Sequence, residues 1–92
     1  MVTAIILIKT ERARTMAVGE ELAELEGISE VYTVAGRYDL VAMVRVARNE
    51  DLADLVTGRL RGVQGIESTE TLLSFRTYSR HDLESLFAVG LG

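Results

Sequence analysis

Four consecutive residues, Gly36-Arg37-Tyr38-Asp39, carry the side-chain types needed to hold a small zwitterion. Gly36 adopts positive φ without a steric penalty. A turn built on it can leave successive backbone N–H groups pointing outward, a concavity that suits a carboxylate. Asp39, at the start of a strand, offers a fixed anion to an ammonium group. Tyr38 adds an apolar wall with a polar tip. The same glycine and aspartate would equally well build a plain hairpin. A second group, Ser68-Thr69-Glu70-Thr71, sets hydroxyls at alternate positions of a strand, where they share a face and can donate to a ligand. Threonine is also common in strands that bind nothing.

Other chemistry finds little support. The chain has no cysteine, hence no disulfide framework and no thiolate nucleophile or metal ligand. Its one histidine, His81, has no second histidine or carboxylate at metal-ligand spacing with apolar support, and reads as a surface residue. Glu20, Glu21 and Glu24 read as a solvated helix face. No Ser–His–Asp set, phosphate loop or metal motif can be assembled, so neither an enzyme nor a bound cofactor is expected. With net charge −4 and dispersed basic residues, direct nucleic-acid binding is disfavoured.

The elements that must position these residues are set by an internal repeat at an offset of 38 residues. Ala4 maps onto Ala42, Val18 onto Val56, Leu22 onto Leu60, Leu25 onto Val63, and Gly27-Ile28 onto Gly65-Ile66. Each copy reads strand, amphipathic helix, glycine stop, strand. Thr3 to Lys9 is apolar enough for a central strand covered on both faces. Val18, Leu22 and Leu25 line the first helix. Glu30 to Val34 and Leu40 to Val46 are the middle strands. Asn49 caps a second helix lined by Leu52, Leu55, Val56 and Leu60, and Ile66 to Tyr78 is the last strand. Two such units predict an α+β fold, a ferredoxin-like βαββαβ sandwich with an antiparallel sheet and two helices on one face. Residues 1–78 form that domain. Residues 79–92 form a tail, opened by Ser79-x-x-Asp82, in which Leu83, Leu86 and Phe87 share one face of a short C-terminal helix.

Ninety-two residues that are 48% hydrophobic, with mean hydropathy +0.19, exceed what one small core absorbs. The surplus predicts a subunit interface. No apolar run is longer than the five residues of Ala4 to Ile8, too short to span a bilayer, and no basic region precedes that run. A cytoplasmic protein without membrane contact is expected.

At Gly36-Arg37-Tyr38-Asp39 the chain resembles the effector-binding (RAM) domain of the Lrp/AsnC regulators, over about residues 2 to 78. The approach Glu30-Val31-Tyr32-Thr33-Val34-Ala35, the Asp39-Leu40 step and the segment Gly65 to Thr71 carry the same likeness. The resemblance implies a homo-oligomer whose sheets pair into dimers, which assemble into larger rings such as an octamer. It also implies a small-molecule effector, commonly an amino acid, bound at dimer–dimer contacts. By position, Gly36, Tyr38 and Asp39 would lie in that cleft, with Ser68, Thr69 or Thr71 facing it from a neighbour. Arg37 occupies a variable position of the motif. Full-length members place a helix-turn-helix domain before this module, whereas here the first strand starts at Thr3. A stand-alone sensing domain is therefore expected, acting by mixing with full-length relatives or by serving another partner. Asp39→Ala is expected to abolish effector binding and leave the fold intact.

Three other readings share the fold. An ACT-like sensor generally has a Pro/Gly turn after its first strand, where this chain has Lys9-Thr10-Glu11 and no proline. A dimeric oxygenase or haem-handling enzyme needs a ligating histidine or a thick aromatic lining. This chain has no Trp and two Phe. A structural oligomer without an effector is the third.

Overall fold

The computed structural model of the chain describes residues 1–80. Strand β1 (Val2–Thr10) leads through a 3-10 turn (Arg12–Arg14) into helix α1 (Thr15–Ala23) and strand β2 (Ile28–Thr33). Strand β3 (Leu40–Val46), helix α2 (Asn49–Asp54) and strand β4 (Ile66–Ser74) complete the second unit. The strands lie in the order β2-β3-β1-β4, and every neighbouring pair is antiparallel. This is the ferredoxin-like βαββαβ arrangement that the repeat predicts.

Alternation along the strands decides where the core sits. Ala4, Ile6 and Ile8 of β1 and Leu40, Ala42, Val44 and Val46 of β3 are buried. They form one cluster with Val18 and Leu22 of α1 and with Leu55 and Leu60. The intervening residues Ile5, Leu7, Val41 and Met43 are only half-buried, and Leu72 beside Ile5 is 44% exposed. The predicted cover on both faces of β1 is thus half right. Helices cover one face, and within one chain the other face is an open apolar sheet.

The second helical segment breaks the symmetry of the repeat. Val56 is the counterpart of Val18 at the 38-residue offset, yet Leu55 is fully buried and Val56 only partly so. After α2 the chain widens into a π-helical stretch (Leu55–Arg59) and then tightens into a 3-10 turn (Leu60–Gly62). The Thr57 hydroxyl donates to the Ala53 carbonyl at 2.6 Å across that wide turn. The extra residue in the turn rotates Leu55 inward. Leu55→Ala should cost about 2–5 kcal/mol in denaturant unfolding, and Val56→Ala clearly less.

Several predicted boundaries move. The last strand stops at Ser74 rather than Tyr78, because Thr3↔Ser74 is the final pair and only Val2 of β1 lies beyond it. Leu25 lies past the end of α1. Helix α2 is capped one residue earlier than Asn49. Extended Arg48 donates its N–H to Asp51 Oδ2 at 3.1 Å, and its carbonyl accepts from the Asp51 N–H at 3.1 Å. His81, Asp82, Leu83, Leu86 and Phe87, with the expected C-terminal helix, lie outside the described residues. Among the described residues no helix is long and apolar enough to cross a membrane.

Candidate functional site

The β2–β3 turn sits at the end of the sheet where β1 finishes and β4 begins. Asp39 is fastened there through both backbone and side chain. Its N–H donates to the Ile8 carbonyl at 2.9 Å, and its carbonyl accepts from the Val34 N–H at 3.0 Å. Carboxylate oxygen Oδ2 accepts from the Thr10 N–H at 2.9 Å and, more weakly, from the Thr10 hydroxyl at 3.4 Å. That hydroxyl also pairs with the hydroxyl of Thr15 at 2.7 Å. Thr10 is 5% exposed, so Asp39 supplies an acceptor that water could not readily replace. The aspartate therefore has a structural duty as well, and the expectation that Asp39→Ala leaves the fold untouched is revised.

The rest of the turn is more open. Gly36 has φ +130° and, among the described residues, nothing within 4 Å of where a Cβ would stand. Tyr38 reaches across to β4, where its hydroxyl donates to Glu70 Oε2 at 2.8 Å. That bond to a carboxylate holds the phenol above its usual value of 10, desolvation adds to the rise, and Arg37 opposes it. Tyr32 makes a like bond to Glu30 at 2.6 Å, with a like upward shift.

Beside Asp39 lies a recess of about 340 Å³ lined by Lys9, Thr10, Arg12, Asp39 and Glu67. Asp39 Oδ1 accepts no hydrogen bond, and neither Lys9 nor Arg12 has an ion-pair partner, among the described residues. A fixed carboxylate oxygen and two free cations at one recess can hold an ammonium and a carboxylate together. Among the described residues no group of three or more His, Cys, Asp or Glu could hold a metal ion.

Gly36, Arg37, Tyr38 and Asp39 are thus brought to one end of the sheet, but the hydroxyl group is split. Ser68 pairs with Lys9 at the margin of the recess, while Thr69 and Thr71 pair with Ile8 and Ile6 on the helix-covered face. Ser68 and Thr69 instead line a groove with Val56, Leu60 and Arg61. Sequence reading did not assign Lys9, Thr10, Arg12 or Glu67 to this site, and looked to Thr10–Arg14 only for an ACT-like sensor. Those residues stand far from Asp39 in the chain; the antiparallel pairing of Ile8 with Leu40 brings Lys9, Thr10 and Arg12 alongside, and the pairing of β1 with β4 brings Glu67.

Fold and turn together define a small βαββαβ module with a polar recess at the hairpin between its repeats. Residues 3–83 match the model of the Lrp/AsnC ligand binding domain. The chain belongs to that family. It is 36% identical over 78 residues to an uncharacterized HTH-type transcriptional regulator of Pyrococcus horikoshii, PH1916, covering 82% of this chain and 52% of the relative. The chain thus spans about half the length of the curated relatives it matches. The crystal structure of TTHA0845 from Thermus thermophilus superposes with a TM-score of 0.82 at 50% identity, over 87% of this chain and 100% of that one. E. coli AsnC shares the fold, with a TM-score of 0.78 at 23% identity over 85% of this chain and 53% of its own.

Proposed function

We propose that this domain is a non-enzymatic sensor that binds a free amino acid beside Asp39 and passes the event to a regulatory assembly. The carrying observation is the Asp39 carboxylate, with Oδ2 anchored on Thr10 and Oδ1 facing a recess that also holds Lys9 and Arg12, both without an ion-pair partner among the described residues. Membership in a family of ligand-binding domains supports a small-molecule effector. The curated relatives named as transcriptional regulators support a role in transcription. Net charge −4 disfavours DNA contact by the domain itself, so a partner bearing a DNA-binding domain would read its state. An effector acts in such a system only if it binds one assembly more tightly than another.

The test is a thermal-shift screen against free amino acids. A ligand at 100 times its Kd stabilises by about 2.7 kcal/mol, a clear shift for a domain of this size. A selective hit that is lost in Asp39→Asn is expected. A flat screen across all of them would remove the reading.

Self-association rests on the open sheet. Ile5, Leu7, Val41, Met43 and Leu72 form a contiguous apolar patch, rimmed by the Tyr32–Glu30 and Tyr38–Glu70 pairs. A second copy laid face to face would bury it and account for the apolar surplus of so small a chain. Leu72→Asp should then at least halve the mass measured by light scattering and leave the circular dichroism spectrum unchanged. A monomeric wild-type chain at tens of micromolar would refute the pairing.

A further inference from the structure

A second cavity lies near the Asp39 recess. It is a groove of about 520 Å³ between α1 and β2, lined by Thr15, Met16, Gly19, Glu20, Ala23, Val31, Thr33 and Leu40. Its surface is mostly apolar despite Thr15, Glu20 and Thr33, and Met16 within it is 77% exposed. The volume falls in the range of small-molecule sites.

Gly19 is the informative residue. It sits inside α1 with ordinary helical φ, where glycine is among the worst helix formers and alanine the best. Packing does not demand it. A Cβ there would meet only the Leu40 side chain, at 3.6 Å and 3.9 Å, which is ordinary contact. Its counterpart is Thr57 at the 38-residue offset, or Val56 once the π-helical shift is allowed for; neither is glycine, so the repeat does not demand it either. What the missing side chain does is leave the space over Leu40 open. The companion groove between the second helical segment and β4 has diverged. Where Ala23 and Val31 line the first groove, the equivalent residues Arg61 and Thr69 line the second. Only the α1–β2 groove kept an apolar wall at these positions.

Groove and recess are neighbours. Thr15 lines the groove and Thr10 the recess, with their hydroxyls 2.7 Å apart. Leu40 lines the groove and Asp39, next in the chain, lines the recess. A charged recess beside a largely apolar groove matches an amino acid in both charge and polarity. Resting on the reading of an amino-acid sensor, we infer that the α1–β2 groove seats the effector's side chain, which makes the effector an amino acid with an aliphatic, thioether or aromatic side chain. Glu20 at the groove, and the absence of any Lys or Arg from its lining among the described residues, work against an acidic one.

The test uses the full chain, the 20 amino acids and 3-methylbutanol, a neutral apolar probe without a charged head. Binding is read by calorimetry and by the Met16 methyl resonance. Apolar amino acids are expected to bind and to move the Met16 signal. Gly19→Leu should fill the groove and weaken them roughly tenfold or more. Gly19→Ala should raise Tm by a few degrees while weakening binding, opposite signs that a merely structural glycine would not give. Binding of a polar or acidic amino acid that needs Asp39 but ignores Gly19→Leu overturns the groove and leaves the sensor standing. Lysine bound best, and lost in Glu20→Gln, overturns the apolar class. Gly19-dependent binding of 3-methylbutanol without any amino acid keeps the groove and removes the sensor. A Met16 signal that Phe87→Glu shifts in the absence of ligand would make the chain's own tail the occupant and overturn the inference.

Discussion

Asp39→Ala should lose effector binding and stability together, while Asp39→Asn should lose binding alone. Removing the side chain orphans the Thr10 N–H in a residue that is 5% exposed, and leaves the Thr10–Thr15 hydroxyl pair without its anionic neighbour. Leaving one buried donor unsatisfied costs about 1–3 kcal/mol. In a domain of this size that lowers Tm by roughly 4–8 °C for each kcal/mol. Asparagine keeps an oxygen for the Thr10 N–H and removes the charge, so Tm should stay within a few degrees of wild type. An ammonium group held by that charge would be released by either variant. Measured Tm and calorimetric affinity separate the two duties of one residue. Binding retained in Asp39→Asn would show that the carboxylate is structural only.

The fold was legible because the repeat preserves positions that packing fixes. Ala4 and Ala42 are both buried where β1 and β3 run side by side, and Leu22 and Leu60 close the core from the helix layer. Boundaries were less legible because they depend on the partner strand. Residues 75–78 look like more of β4, but beyond Thr3↔Ser74 β1 has only Val2 left, too little to pair with them. The single-sided cover of β1 was hidden for a similar reason. A run such as Ile5-Ile6-Leu7-Ile8 reads the same whether its second face meets a helix layer or another subunit. The site divides in the same way. Gly36 and Asp39 announced themselves by turn chemistry, whereas Lys9, Arg12 and Glu67 are ordinary surface residues until strand register places them around Asp39. Gly19 gave no signal at all, because an isolated glycine in a helical pattern acquires meaning only when the space beside it is known.

Gly65→Ala should be the most damaging single-methyl change at a turn, and Gly36→Ala its natural control. Both glycines hold φ values that disfavour a side chain, +101° at Gly65 and +130° at Gly36. Such backbone strain alone costs about 1–3 kcal/mol. At Gly36 nothing else is added, since among the described residues no atom lies within 4 Å of the new methyl. At Gly65 the methyl would stand 2.8 Å from the Arg14 Cβ and 3.0 Å from the Val18 Cγ2, at the start of α1. Forcing those groups apart adds about 1–3 kcal/mol more, giving roughly 2–6 kcal/mol in all. A small domain holds only about 5–15 kcal/mol of stability, so this variant sits near the unfolding threshold. The damage also has a direction. The Gly65 carbonyl accepts from the Glu11 N–H at 2.8 Å, which fixes the chain just after Thr10 and before the 3-10 turn into α1. Displacing that turn moves Thr10 away from Asp39, so ligand affinity should fall in whatever fraction stays folded. Gly36→Ala should keep the core, cost the backbone strain alone, and lose what the turn itself contributes to the ligand. Equal losses of Tm in the two variants would mean that backbone strain alone decides the cost, and that the close approach of Gly65 to α1 contributes nothing.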